Sequence, residues 1–239
     1  MQVSDATYRF GSTQNGTRET HHGVEFPNKA GTPVLAVAAG QVIFAGNDDV
    51  ATLAWVPKFY GNVVVIRHFF AGTPLPIFTL YAHLQDVYSH EGERVLAGQA
   101  IGSVGSTGTA VGSHLHFEVR LGANRYANVQ NPILWLMPIS GHGVLAGKVV
   151  DTAGKLVAIE LNVQPYKDGA LHLEPYTALT TYETKELPVS SDPVVQENFA
   201  AGDIPAGQYR VSLVWQGKLF EQSVSVQAGR LTYITFVVK

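Results

Sequence analysis

The chain has 239 residues, 46% of them hydrophobic and 15% charged, the balance of a globular protein that buries a core rather than of a disordered one. Its net charge is only −3 and no Lys/Arg cluster stands out, so the electrostatic footprint of a nucleic-acid or anionic-membrane binder is missing. The absence of cysteine excludes disulfides, thiolate metal sites and cysteine nucleophiles, and any metal must use His, Asp or Glu.

The length exceeds that of one typical domain, and two are expected. Residues 1–20 lack the basic start and apolar run of a signal peptide, and no stretch of 18 apolar residues follows. No membrane span is therefore expected, and export would need a leader outside this sequence. Short runs rich in Val, Ile and aromatics, bounded by Gly, Pro, Asn or Asp, predict strands at Val34–Ala38, Gln41–Ala45, Asn62–His68, Phe78–His83, Ala100–Val104 and His114–Arg120. The fold class read from them is all-β. The only helical signal in this half is a short turn around Asn131–Met137, where Asn131-Pro132 offers a cap followed by proline at the first helical position. Met137-Pro138 and the breakers Gly141-His142-Gly143 then separate a first domain, residues 1–140, from a second, residues 141–239.

Seven of the nine histidines precede residue 140, which assigns the chemistry to the first domain. In extended chain, residues i, i+2 and i+4 share a face. His21 and Glu25 therefore project together, with Gly23 leaving room between them, and so do His114 and His116, whose neighbours Leu115 and Phe117 turn to the opposite side. Two such pairs invite a metal, and zinc suits imidazole nitrogens mixed with a carboxylate oxygen. His83, ending a strand where apolar residues give way to Gln85-Asp86, is placed to face a cleft. His68, His90, His142 and His172 read as surface or hydrogen-bonded histidines, and His22 should point away from the His21 face. The long segment Gly46–Tyr60, with Trp55, Phe59 and Tyr60, lies between two strands and fits either a peptide groove or packing over the sheet edge.

In this order and over Tyr8 to Pro138, the motifs resemble the lysostaphin-type (LytM-like) zinc endopeptidases of bacterial cell walls. The carriers are His21–Glu25, Gly31-Thr32-Pro33-Val34, Ala38-Ala39-Gly40-Gln41-Val42 and Tyr60–Ile66, followed by Tyr81-Ala82-His83-Leu84, Gly98–Gly102, Gly105–Gly108 and His114–Val119. The resemblance implies one zinc ion held by His21, Glu25 and His116, with His83 and His114 flanking the attacking water as acid and base. It also implies peptidoglycan peptides as substrate, an extracellular or cell-envelope location in a bacterium, and a barrel-sandwich-hybrid-like antiparallel sheet. The family carries aspartate where this chain has Glu25, which is one methylene longer and still a competent zinc ligand. A non-catalytic wall-binding or hydrolase-activating module on the same fold is the alternative.

Two other readings fall away. The Val-x-Ala-x-x-Gly-x-Val rhythm also resembles lipoyl- and biotinyl-carrier domains, but neither Lys29 nor Lys58 sits in the tight hairpin a carrier needs. Gly102–Gly112 is followed by no Gly-Lys-Ser/Thr and reads as turn chemistry rather than a phosphate cradle. In the second domain, Gly147–Gly154 opens a strand and tight turn, and Ile204–Leu213, Ser223–Val226 and Leu231–Val238 follow with strand alternation. This is similar to the carboxypeptidase-regulatory-like (transthyretin-like) β-sandwich, and it implies two antiparallel sheets without catalytic residues. Tyr176–Gln196 is expected to be a long polar loop. A monomer is the favoured state.

Overall fold

The computed structural model describes residues 4–14, 16–49, 51–167, 170–171, 177–182 and 189–239, and is nearly all β, as the sequence predicts. The chain divides into two units. One comprises Ser4–Tyr8 and His22–Pro132; the other contains Arg9–His21 with Ile133–Lys239. Residues 9–21 thus group with the C-terminal unit, whereas the sequence division at residue 140 assigned them to the first.

The first unit holds β1 (Val24–Pro27), β2 (Pro33–Leu35), β3 (Gly40–Asn47), β4 (Asn62–His68), β5 (Ile77–Val87), β6 (Arg94–Val95), β7 (Ala100–Val104), β8 (His114–Leu121) and β9 (Val129–Gln130). They form one antiparallel sheet in the order β1-β8-β5-β4-β3-β6, with β7 joining β2 to β5 and β9 pairing with β8. Its middle strand β4 carries the unbroken run Val63-Val64-Val65-Ile66, every member fully buried, because both faces of the strand are covered and alternation has no solvent side to serve. The predicted turn near residue 132 is a 3-10 turn over Pro132–Leu134, opened by its proline.

Two features depart from the predicted strands and position the site. The strand predicted to end at His83 runs on to Val87. It absorbs a bulge opposite Asn62/Val64, where β5 spends one more residue than β4, and His83 sits in that bulge at φ +60°. A bulge at this point re-aims a side chain out of the regular alternation. The second feature is the β3–β4 connection, closed at its neck by the fully buried Asp48, whose carboxylate accepts from Tyr60 N at 2.7 Å and Gly61 N at 2.9 Å. At Gly61, with φ +70°, an added Cβ would fall 2.4 Å from Gly108 N. The neck therefore packs backbone to backbone against the 105–112 loop, which only glycine permits.

The second unit contains β10 (His142–Asp151), β11 (Glu160–Lys167), β12 (Ala170–Leu171), β13 (Thr177–Thr180), β14 (Phe199–Pro205), β15 (Gly207–Trp215), β16 (Lys218–Val226) and β17 (Leu231–Val238). One sheet is β14-β10-β17 and the other β12-β11-β15-β16, with β13 also on β11. Inward residues of both, among them Leu145, Phe199 and Phe236 from the first and Leu161, Val211 and Leu213 from the second, share one core. The expected purely antiparallel pairing does not hold, because the first strand of the unit, β10, pairs with the last, β17, in parallel from Val144↔Leu231 to Asp151↔Val238. The predicted tight turn is present: Asp151 Oδ1 accepts from Ala153 N and Lys155 N, both at 2.9 Å. Of the polar stretch expected to be one loop, 177–180 is strand β13, while residues 176 and 183–188 lie outside the described residues.

Candidate metal and catalytic site

Along β8, His114, His116, Glu118 and Arg120 alternate with Leu115, Phe117, Val119 and Leu121, so the strand has one polar face and one apolar face. Its neighbours complete the polar face. Glu25 of β1 lies directly across from His116, and Ala82 of β5 pairs with it on the other side, which brings the bulged His83 alongside. Cross-strand partners sit within side-chain reach. This register joins Glu25 to His116 although 91 positions separate them.

Glu25 Oε1 lies 3.0 Å from His116 Nδ1 and Oε2 lies 2.9 Å from His114 Nε2, so the longer glutamate reaches both histidines of the β8 pair. One donor atom each from His21, Glu25 and His116 falls within 4.8 Å of the others, and all but Glu25 are buried. Gly23 keeps the space: a Cβ there would lie 2.6 Å from His116 Cε1 and 2.7 Å from both His116 Nε2 and Phe117 O.

His83 is buried, with its ring centroid 4.9 Å from that of His114 and 5.6 Å from that of His116. Burial, followed by the nearby His116 and His114, lowers its pKa to about 4. The neutral ring donates Nδ1–H to Thr107 O at 2.8 Å, which leaves Nε2 as its basic atom. Thr107 is itself pinned, since its hydroxyl donates to Leu84 O at 2.9 Å and accepts from Asn62 N at 3.0 Å. The Gly61–Gly108 contact thus holds the carbonyl that orients His83. His114 has Nδ1 3.1 Å from Gly112 O.

Below His116 the polar face closes into a buried network. Glu118 Oε1 lies 3.1 Å from His116 Nε2 and also accepts from the Tyr60 hydroxyl, while Oε2 pairs with Arg120 at 2.7–2.8 Å. Burial opposes ionisation of Glu118, but the Arg120 charge and the donors outweigh it and hold the pKa down at about 2. Burial likewise opposes charge on His116, yet Glu25 and Glu118 on either side raise its pKa to about 10. An imidazole flanked by two carboxylates is a place where a cation is wanted.

The remaining histidines among the described residues lie outside the cluster and have other partners. His22 stacks on Tyr126, with ring centroids 3.9 Å apart. His68 is buried between Ala39 O at 2.9 Å and Thr79 Oγ1 at 2.7 Å, and burial lowers its pKa. His90 is a solvent-facing neighbour of Glu93, and His142 lies 2.9 Å from Ser140 O. His172 lies outside the described residues. Of the loop aromatics, Tyr60 is fully buried and Phe59 packs on the sheet, whereas Trp55 is exposed, so edge packing accounts for two of the three. Sequence reasoning passed over Glu118, Arg120 and Thr107. A His-x-His-x-Glu-x-Arg alternation in a strand with no solvent face was the available signal for the first two; none marked the Thr107 carbonyl.

Two imidazoles and a carboxylate, with donor atoms this close, fit zinc with a position left open for water or substrate. Residues 19–130 match the model of Peptidase family M23. The chain is 40% identical over 105 residues to the DD-carboxypeptidase/endopeptidase Mpg of Neisseria meningitidis serogroup B, covering 44% of this chain and 21% of that protein. It is 32% identical over 111 residues to the murein hydrolase activator NlpD of Escherichia coli, covering 46% and 24%. A solved structure, the catalytic domain of the antimicrobial peptidase lysostaphin from Staphylococcus simulans, is 30% identical over 48% of this chain and 78% of that one, with a TM-score of 0.41. The chain spans less than a quarter of the length of these two curated relatives. Residues 19–130, the stretch matched by the model of peptidase family M23, hold every side chain of the site from His21 to Arg120.

Proposed function

We propose that the chain is a zinc-dependent endopeptidase hydrolysing peptide bonds of bacterial peptidoglycan, with His21, Glu25 and His116 holding one zinc ion and His83 and His114 handling protons. The observation that carries this reading is the convergence of the three donor atoms within 4.8 Å beside two further imidazoles. When bound, zinc would supply Lewis acidity for the scissile carbonyl and for water at neutral pH. His83, neutral and fixed through Nδ1–H on Thr107, presents Nε2 to take a proton from the attacking water. His114, anchored through Nδ1 at Gly112 O, has Nε2 directed into the site to hydrogen-bond the developing oxyanion and protonate the leaving amine. The burial of His83 and His116 excludes water from the proton path and strengthens each of these contacts.

The similarity to a DD-carboxypeptidase/endopeptidase supports peptidoglycan as the substrate and the cell envelope or exterior as the location. We read residues 1–140 as the peptidase domain and 141–239 as a transthyretin-like β-sandwich, supported by the two sheets that share one core, with the chain acting as a monomer. A second reading, a wall-binding or hydrolase-activating module, is favoured by one contact: Glu25 Oε2 lies 2.9 Å from His114 Nε2 and occupies the nitrogen that catalysis needs. Measured zinc content, together with release of new amine groups from purified peptidoglycan with and without chelator, separates the two. The peptidase reading expects one zinc per chain and chelator-sensitive release. It expects His83→Ala to keep the metal and lose about 10²–10⁴ in rate, and His116→Ala to lose the metal. A zinc-loaded wild-type chain that releases no amine would sink the catalytic reading, and full zinc occupancy in His116→Ala would sink the ligand assignment.

A further inference from the structure

Glu118 has no part in the chemistry above, yet it is the most enclosed acid of the site. It is fully buried, as is Arg120. One carboxylate oxygen is taken by Arg120 Nε at 2.8 Å and Nη2 at 2.7 Å, and the other by the Tyr60 hydroxyl and by His116 Nε2 at 3.1 Å. Arg120 is tied in turn to Asn124 Oδ1 at 2.9 Å and Leu53 O at 3.0 Å, so the carboxylate cannot rotate without breaking a chain of buried bonds.

We propose that Glu118 is the positioning residue of the metal site, holding the His116 ring by its Nε2–H so that Nδ1 is the atom offered to the metal. The proposal rests on the zinc reading above. An ionised carboxylate only accepts hydrogen bonds, and with Arg120 against it Glu118 stays ionised. His116 Nε2 must therefore carry a hydrogen. In the metal-free protein Nδ1 also donates, to Glu25 Oε1 at 3.0 Å, and a metal that takes up Glu25 would displace that proton and leave the lone pair on Nδ1 while Glu118 keeps the Nε2–H in place. A ligating histidine whose other nitrogen donates to a carboxylate has its tautomer and orientation fixed in advance of the metal. A plain structural ion pair would need only Arg120; the second oxygen turned to His116, two residues away on the same strand face, is what a structural pair leaves unexplained.

The wild-type chain tests this directly. Long-range proton–nitrogen spectra of the zinc-loaded protein should show His116 protonated at Nε2 and metal-bound through Nδ1; zinc bound through Nε2 would overturn the proposal. Glu118→Gln supplies a second reading. With Arg120 a permanent cation, the amide oxygen turns to Arg120 and the amide NH2 faces His116 Nε2, forcing the ring proton to Nδ1. Zinc affinity by chelator competition should fall about 10- to 100-fold, with the spectrum showing the other tautomer in the apo variant. Unchanged affinity and tautomer in a folded Glu118→Gln protein would refute the role of Glu118 while leaving the zinc site standing. A wild-type chain that takes up no zinc would remove both. Should the variant not fold, the wild-type spectrum decides alone.

Discussion

Replacing Glu197 with glutamine should remove a pH dependence of stability that the wild-type chain carries between about pH 4.5 and 7. Glu197 is fully buried in the C-terminal unit, and its hydrogen-bond donors, the Tyr182 hydroxyl at 3.0 Å and Asp192 N at 3.1 Å, are both neutral. Burial outweighs these donors and raises its pKa from 4.5 to about 7. A raised folded-state pKa means that the folded chain holds a proton the unfolded chain has released. The contribution is therefore fully present below about pH 4.5 and lost as pH rises through about 7. A shift of this size corresponds to about 3 kcal/mol at about 1.36 kcal/mol per unit. Urea denaturation of both proteins at pH 5, 6, 7 and 8 gives the result as a difference in slope, which is insensitive to any pH-independent difference between the two side chains. The wild type should weaken relative to Glu197→Gln by about 2.5 kcal/mol between pH 5 and pH 8. Parallel pH profiles for the two proteins would refute a buried, unpaired-by-charge carboxylate.

At His83 the left-handed backbone at φ +60° stores strain of about 1–3 kcal/mol. His83→Gly should therefore be more stable than His83→Ala by about 1 kcal/mol in thermal unfolding, with both inactive; equal stabilities would show that the bulge costs nothing. Gly23→Ala brings a Cβ to 2.7 Å from Phe117 O and 2.6 Å from the His116 ring, and β1 must move off β8 to relieve it. Chelator competition should show zinc affinity falling at least about tenfold, with a stability loss of about 1–3 kcal/mol; a variant that binds zinc like wild type would mean that Gly23 does not set the clearance.

What the sequence discloses about this site follows the range of the interaction. His114 and His116 share a face because residues two apart in a strand must, and that reading needs nothing beyond the local pattern. Glu25 sits opposite His116 only through the β1–β8 register, which is a non-local property, so the spacing of His21 and Glu25 offers a pair without its partner. His83 marks the limit of pattern reading. Its strand was expected to stop there, and instead a one-residue bulge lets β5 continue while turning the imidazole toward the site. The two sheets of the C-terminal unit were foreshadowed by alternation at Ser223–Val226 and Leu231–Val238, but alternation carries no strand direction, and the parallel β10–β17 pair was invisible to it.

The buried pair of Glu118 and Arg120 bears on why the polar face of β8 exists at all. Removing both charges from water costs about as much as their attraction returns, and apolar replacements of similar volume are often neutral or stabilising. Stability is then a poor explanation for a His-His-Glu-Arg stripe whose Glu118 and Arg120 pair directly across the sheet with the apolar Leu80 and Phe78 of β5. Orientation is a better one. Each member fixes the next: Arg120 holds Glu118, Glu118 holds one nitrogen of His116, and Glu25 meets the other while reaching His114. In this order the extra methylene of Glu25 has a structural consequence, since one oxygen remains opposite His116 while the second reaches the neighbouring histidine. The same carboxylate proposed to hold the metal thereby touches the histidine proposed for the proton chemistry, and zinc content measured together with amine release from peptidoglycan tests whether that contact is compatible with catalysis.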